Sequence, residues 1–347
     1  MRYPFVSLCL IMSTKKDIRR FSEDDLVQFF AQKGEATYRA RQIYQWLWQK
    51  HAVSFEEMTN LSKDLRNFLN ENFIINAVSI SEMQISSDKM IKCAMKLHDN
   101  YVVESVLIPA GKRMTACISS QVGCSLTCKF CATGKLKRMR NLNADEIVDQ
   151  VALVRDAAKQ HHQLPLTNIV FMGMGEPLHN LESVLDSIDI LTHPNGFNIS
   201  HRKITVSTSG LVPQMLELGR RSKVNLAVSL NATTDELRNE IMPVNKRYNL
   251  KMLLDGCRQY ELGPGRRITF EYVMLKGLND SRQDAQRIVS LLKGIPSKVN
   301  LIPYNPHPAS PILRPDLNDV MAFQKYLLDR EDRKSTRLNS SHITISY

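Results

Sequence analysis

Cys124-Ser125-Leu126-Thr127-Cys128-Lys129-Phe130-Cys131 follows closely on an apolar run, Met114–Ser119, that reads as a β-strand. The thiols are spaced C-x3-C-x2-C. Three thiolates on one tight loop can hold three irons of a cubane iron–sulfur cluster. The fourth iron is then open to the amino and carboxylate groups of a substrate. A zinc site would want a fourth Cys or His to close a tetrahedron, and no residue here completes a familiar zinc pair. The spacing favours iron–sulfur, with zinc as the alternative.

Outward from this loop the chain alternates. Further runs at Asn168–Met172, Lys203–Ser207, Val224–Leu230, Arg267–Met274 and Lys298–Ile302 read as strands. Between most of them lie helical patterns at Ala144–Ala158, Leu181–Leu191, Pro213–Leu218, Asp235–Met242 with Lys251–Tyr260, and Arg282–Leu292. Strand–helix alternation predicts an α/β class with a parallel sheet or barrel, whose chemistry gathers at the C-terminal strand ends. Upstream the pattern is helical. Ser22 with Asp25 forms a capping box before Leu26, Phe29 and Phe30. Further helices are predicted across Arg39–Lys50 and Lys63–Asn72. Strands follow at Ile91–Leu97 and Tyr101–Pro109, separated by Asp99-Asn100. These features predict an accessory domain over 22–100 and a core over 101–331.

The chain has 347 residues, 43% hydrophobic and 23% charged, which excludes disorder and coiled coil as overall classes. Lys and Arg exceed Asp and Glu by 46 − 35 = 11, a surplus that suits a polyanionic partner. No apolar run of about 20 residues is present, so no membrane span is expected. The seven cysteines are odd in number and three crowd together, unlike a secreted disulfide framework, which places the protein in a reducing cytoplasm. Between Glu104 and Asp145 there is no acidic residue, whereas Lys112, Arg113, Lys129, Lys135, Lys137, Arg138 and Arg140 all occur. The last five surround the cysteine loop, where phosphates near a target base would lie. Arg39 and Arg41, with Trp46 and Trp48, are candidates for gripping folded RNA, although core packing is the expected role of the tryptophans.

The cysteine motif, with Phe130 before its last Cys, resembles the radical S-adenosylmethionine (SAM) superfamily. Further strings narrow the resemblance: Cys117-Ile118-Ser119-Ser120-Gln121-Val122-Gly123-Cys124, Gly173-Met174-Gly175-Glu176-Pro177-Leu178, Ser207-Thr208-Ser209-Gly210, Ser229-Leu230-Asn231, and Asn300-Leu301-Ile302-Pro303-Tyr304-Asn305-Pro306. Together they are similar to the RlmN/Cfr family of RNA adenine methyltransferases, and to its RlmN branch, over about Phe21–Leu328. The resemblance implies a partial (β/α)6-type radical SAM barrel with a small N-terminal helical RNA-binding domain and a short β extension. It implies a [4Fe–4S] cluster on Cys124, Cys128 and Cys131, and S-adenosyl-L-methionine as cofactor.

Further roles follow from the resemblance alone. Gly175 and Glu176 would contact the methionine part of the cofactor. Ser207, Ser229, Leu230, Asn231 and Asn305 would hold its ribose, carboxylate and adenine, beside Phe130. The family usually has His where Asn231 stands. Cys117 would be the thiol that resolves a covalent protein–RNA intermediate, and Glu104 the acceptor of the C2 proton. From the residues alone, Glu176 after Gly175 would be an extended strand-end carboxylate able to accept from an ammonium group. Cys117 would be a small buried hydrophobe, and Glu104 an exposed strand carboxylate.

Adenine C2 is an electron-poor carbon and no nucleophile for a methyl sulfonium, which is why this chemistry needs a radical. In the family one cofactor methylates a C-terminal Cys. A second is cleaved to a 5′-deoxyadenosyl radical, which activates that methyl for addition to C2. The implied partners are 23S rRNA, tRNA and an electron donor such as flavodoxin, with a monomeric, cytoplasmic enzyme. The rival within the family is methylation at C8, as in Cfr. The rival outside it is a zinc-stabilised RNA-binding protein without catalysis.

The termini depart from the pattern. Residues 1–21 read as a leader, with Met12 as the expected initiator. Asp332–Tyr347 back-translates to a string like a sequencing adapter, so natural sequence is expected to stop near Glu331. No Cys follows Cys257, so the methyl-carrying Cys is missing as written. Without that tail the net charge is 11 − 2 = 9, since the tail holds one Asp and three Lys or Arg. The expectations are cofactor binding without RNA methylation, and a sheet edge left unpaired.

Overall fold

The structure, a computed structural model, describes residues 15–306 and 310–330, and the backbone of 336–338. The chain forms two compact units, Met1–Ala77 and Val78–Tyr347. The first holds β1 (Lys16–Asp17), α1 (Glu23–Gln32), α2 (Thr37–Trp48), α3 (Lys63–Asn72) and β2 (Phe73–Ile74), with β1 parallel to β2. The predicted capping box is present. Ser22 Oγ accepts the Asp25 N–H at 3.1 Å, and Asp25 accepts the Ser22 N–H at 3.0 Å. Leu26, Phe30, Ile43, Leu47 and Trp48 fill the core. Trp48 is therefore a packing residue, while Lys50 lies 3.5 Å above the ring of the half-buried Trp46.

Two expectations shift here. Residues 1–14 of the expected leader lie outside the described residues. Lys16–Arg20 belong to the folded unit, because Ile18 is fully buried and Asp17 accepts from the Arg19 and Asn76 N–H groups. The accessory unit ends at Ala77 rather than near residue 100. The physical reason is strand pairing: the antiparallel strands that follow hydrogen-bond into the sheet of the second unit.

That sheet comprises β3 (Ser79–Ile85), β4 (Ile91–Lys96), β5 (Val102–Ala110), β6 (Arg113–Cys117), β9 (Asn168–Phe171), β10 (Ile204–Thr208), β11 (Asn225–Ser229), β12 (Ile268–Met274), β13 (Ser297–Pro303) and β14 (Thr336–Leu338). Two short strands, β7 (Gln121–Val122) and β8 (Arg140–Asn141), pair separately. The sheet order is β14-β13-β12-β11-β10-β9-β6-β5-β4-β3. It is parallel from β6 to β14 and antiparallel from β6 to β3. These are the parallel core and the short antiparallel β extension expected from the sequence. Helices α4 (Ala144–His162), α5 (Leu181–Thr192), α6 (Val212–Arg221), α7 (Asp235–Ile241), α8 (Leu250–Gln259), α9 (Arg282–Leu291) and α10 (Leu317–Arg330) complete the unit.

The inner strands are buried on both faces, as parallel strands covered by helices must be. In β12 every residue but Val273 is buried, and Phe270 and Tyr272 are each wholly enclosed. Each such side chain stabilises the fold by roughly 1.5–3 kcal/mol. The predicted turn at Asp99-Asn100 forms with Asn100 at φ +68°. The expected unpaired edge is not observed: Thr336–Leu338 pairs in parallel with Val299–Leu301. A sheet edge offers backbone groups, which any extended segment can meet whatever its side chains. No helix among the described residues is long and apolar enough to cross a membrane.

Candidate functional site

The C-terminal ends of β6 and β9–β12 open onto one cavity of about 390 Å³, within the range of small-molecule sites. The cysteine loop closes one side of it. β7 and β8 clamp the ends of this loop, and Cys124 bridges to Lys137. Gly123, at φ +75°, is required there, since a Cβ would sit 2.3 Å from the Lys137 carbonyl oxygen. The Lys129 N–H donates to the Ile241 carbonyl at 3.0 Å and so ties the loop to the end of α7.

Cys124, Cys128 and Cys131 all line the cavity. Burial, and then neighbouring cysteines and Glu176, push the Cys124 thiol up to about 11 and the Cys128 thiol up to about 12; backbone N–H groups partly offset this at Cys124, and Arg238 at Cys128. These thiols need a metal cation to become thiolates. Among the described residues, no three His, Cys, Asp or Glu side chains converge on a point that would hold one metal ion. In a cubane cluster each thiolate takes a different iron, so the three thiols need not meet at one point.

Cys117 ends β6 and also lines the cavity, packed against Val106 and Ile108. Burial pushes its thiol up to about 12, despite the Met172 N–H that donates to it. Ser119 is the hub beside it. Its Oγ donates to the Glu104 carbonyl at 2.6 Å and accepts the Met174 N–H at 2.9 Å. From α4, Gln150 holds the Ser119 N–H at 2.9 Å and its carbonyl at 3.2 Å. This fixes the strand end from which the cysteine loop departs.

Glu104 lies on β5 and does not line the cavity. It is not the exposed carboxylate of the unaided sequence reading. Its Oε1 pairs with Lys92 at 3.4 Å, and its Oε2 is buried without a hydrogen-bond partner.

Glu176 and Gly175 line the cavity after β9. Gly175 has φ +99°, and a Cβ there would meet the Gln121 Cβ at 2.6 Å. The close approach this glycine permits is therefore to the chain itself. Gln121 Oε1 accepts the Glu176 N–H at 2.9 Å. Glu176 is buried, and its carboxylate accepts from Leu178 N–H at 3.2 Å and Ser209 N–H at 2.8 Å. Burial raises its pKa against the pull of these bonds. The Ser209 and Thr208 side chains pull the same way, and an ammonium group arriving in the cavity would offset the burial.

Phe130, Ser207, Ser229 and Asn231 also line the cavity. Asn231 adopts φ +55°, a conformation Asn tolerates well. Its Oδ1 accepts the Val273 N–H at 2.8 Å and its Nδ2 lies 3.3 Å from Met242 Sδ, so the side chain ties β11 to β12 as well as facing the cavity. Leu230 is fully buried and Asn305 half-buried, and neither lines the cavity.

Two contributors were not singled out from the sequence. Glu271 on β12 lines the cavity, with Oε2 accepting from Asn300 Nδ2 at 2.6 Å. Burial pushes it up to about 7, against the lowering by Asn300 and then Lys298. Its signal was present, since a carboxylate inside an apolar strand run is unusual. The second is Arg238 on α7, whose side chain is wholly buried beside the site. Among the described residues no carboxylate forms an ion pair with it, so its charge is left for an anionic, thiolate-ligated cluster to offset. The donor set thus fits an iron–sulfur cluster and a zwitterionic cofactor.

The basic stretch is partly self-neutralised. Lys129 pairs with Glu240 at 2.8 Å, and Arg140 with Asp99 at 2.6 Å and Glu146 at 2.7 Å. Lys135, Lys137 and Arg138 are exposed on the loop, with Leu136 and Met139 between and beside them.

Residues 16–75 match the family described as Ribosomal RNA large subunit methyltransferase N-terminal domain, and residues 118–289 match the Radical SAM superfamily. The chain is 50% identical to a probable dual-specificity RNA methyltransferase RlmN of Cytophaga hutchinsonii, covering 91% of this chain and 87% of that one. It is also 50% identical to the dual-specificity RNA methyltransferase RlmN of Geobacter sulfurreducens, covering 94% and 89%. Among solved structures, a radical SAM methyltransferase from Sphaerobacter thermophilus superposes with a TM-score of 0.87 at 40% identity, covering 94% of this chain and 96% of that one.

Proposed function

Because the chain belongs to the RlmN family of radical SAM RNA methyltransferases, we propose that it adds a methyl group to C2 of an adenosine in 23S rRNA and in tRNA next to the anticodon. One observation carries this assignment. Cys124, Cys128 and Cys131 share a single cavity with Glu176, Ser207, Ser229 and Cys117, at the C-terminal ends of parallel strands.

Cys124, Cys128 and Cys131 would hold the cluster, which supplies the electron that cleaves the sulfonium cofactor. Glu176 receives the cofactor's ammonium group, with its carboxylate already oriented by Leu178 and Ser209. Ser207, Ser229 and Asn231 offer polar groups to the ribose and carboxylate, and the apolar wall around Val106 and Ile108 excludes water. Gly175 and Phe130 shape the rest of the cofactor site, which Leu230 and Asn305, outside the cavity lining, would support from behind. Cys117 stays a protonated thiol until a neighbouring bond must be resolved. Glu104, held at Oε1 by Lys92 and unpartnered at Oε2, takes the C2 proton. Lys135, Lys137 and Arg138 receive RNA phosphates at the rim. An external one-electron donor such as flavodoxin, a monomeric enzyme and a cytoplasmic location complete the proposal.

Nucleoside mass spectrometry tests the acceptor carbon. RNA is treated with the chain as written and with a form carrying a Cys-containing C-terminal segment, since the transfer step implied by the family uses such a Cys. Formation of 2-methyladenosine by the extended form supports the proposal. Methyl at C8 places the chain with the Cfr activity instead, and no methyl from either form contradicts it.

A further inference from the structure

Arg238 has no exposed surface, and its hydrogen-bond acceptors are all neutral oxygens. Its Nη2 donates to the Ser209 carbonyl at 2.7 Å and the Ser229 carbonyl at 2.9 Å. Its Nε donates to the Leu230 carbonyl at 3.0 Å, and its Nη1 to Asn245 Oδ1 at 2.9 Å. The nearest formal compensation on its own helix is Asp235, one hydrogen bond removed. Asp235 is held by Asn245 Nδ2 at 2.8 Å and by the Leu250 N–H at 2.9 Å. A buried charge without an ionic partner is costly, and folds keep one where something else uses it.

The carbonyls it holds are informative. Ser209 follows β10, while Ser229 ends β11 and Leu230 follows it. Both strand ends present their side chains to the cavity. One planar guanidinium therefore staples two adjacent strand ends from beneath, with a fixed fork that an ammonium cannot reproduce. The same helix carries Ile241, whose carbonyl holds the cysteine loop at Lys129.

We propose that Arg238 is a positioning residue with two separable roles: its fork sets the ends of β10 and β11 that receive the sulfonium cofactor, and its charge, on the helix whose Ile241 carbonyl holds the cysteine loop at Lys129, favours the cluster with one more electron. This rests on the function proposed above. One-electron reduction makes a thiolate-ligated cluster one unit more negative, and a fixed cation nearby stabilises that product over the oxidised form.

The test compares the wild-type protein, Arg238→Lys and Arg238→Met after anaerobic reconstitution. Cluster potential is measured by EPR-monitored titration with a chemical reductant, S-adenosylmethionine binding by calorimetry, and folding by thermal melts. Arg238→Met should reduce with an equilibrium constant at least tenfold lower, a fall of about 59 mV for one electron. It should also bind the cofactor at least about tenfold more weakly. Arg238→Lys keeps the charge and loses the fork, so its potential should match the wild type while cofactor affinity still falls.

An unchanged potential in folded Arg238→Met overturns the charge role. Unchanged cofactor affinity in Arg238→Lys overturns the positioning role. If Arg238→Met does not fold, the Lys variant decides alone: preserved potential with weakened binding supports the proposal, and any other result overturns it. A wild-type protein that takes up no iron overturns the proposed function itself, and this proposal with it.

Discussion

Glu176 Oε2 accepts the backbone N–H of Ser209 at 2.8 Å, which joins the loop after β9 to the loop after β10 across the mouth of the cavity. The carboxylate braces the site, and in the proposed function it also receives the cofactor's ammonium group. Glu176→Ala should leave the Leu178 and Ser209 N–H groups unsatisfied, at a cost of about 1–3 kcal/mol for each buried donor. Cofactor affinity should fall at least about tenfold while iron content stays constant. Calorimetry on the reconstituted variant checks this, and an unchanged dissociation constant would refute the assignment.

Glu271 gives a pH signature. Its folded value, about 7, lies above the ordinary glutamate value of 4.5, chiefly because of burial. A carboxyl shifted upward binds its proton more readily in the folded state. Its contribution to stability is therefore full below about pH 4.5 and is lost as pH rises through 7, by roughly 3 kcal/mol at most. Glu271→Gln cannot titrate. Its stability relative to the wild type should rise between these pH values and then level off. Thermal melts of the cluster-free proteins from pH 4.5 to 8 measure the difference. A wild-type-minus-variant difference independent of pH would show that Glu271 does not titrate in this window.

The rim should register as a salt effect. Lys137 and Arg138 are exposed beside the cysteine loop. If each meets a phosphate, replacing either with Ala lowers the slope of log affinity against log salt by about 0.7–0.9. RNA-binding titrations at several salt concentrations give the slopes. Weaker binding with an unchanged slope would mean that these residues act through something other than phosphate contacts.

Much of this was legible in the sequence because it is local. The cysteine spacing, the Ser22–Asp25 capping box and the alternation of strands and helices each depend on near neighbours. Four matters were not local. The sheet takes in Ser79–Ile85, a strand whose pattern is mostly exposed and so lacks the alternation that marks a buried face. For this reason the boundary falls at Ala77 and not near residue 100. Lys129 and Arg140 read as free cations until the fold places Glu240, Asp99 and Glu146 against them. Arg238 lies in the polar string Asp235-Glu236-Leu237-Arg238-Asn239 and looks like solvated helix surface. Only the approach of Ser209 and Ser229 to α7 makes it a buried staple. Gly175 was legible as a position of close approach, but its partner, Gln121, was not.

The central claim is that Cys124, Cys128 and Cys131 hold a cluster able to cleave S-adenosylmethionine, and that Cys117 is no ligand. Its most direct test is iron and sulfide analysis after anaerobic reconstitution, followed by chromatographic detection of 5′-deoxyadenosine on addition of cofactor and reductant. The wild-type protein and Cys117→Ala should both hold a [4Fe–4S] cluster and release 5′-deoxyadenosine, while the variant with Ala at 124, 128 and 131 should do neither. Iron retained in that triple variant, or a wild-type protein that binds zinc in place of iron and yields no 5′-deoxyadenosine, would contradict it.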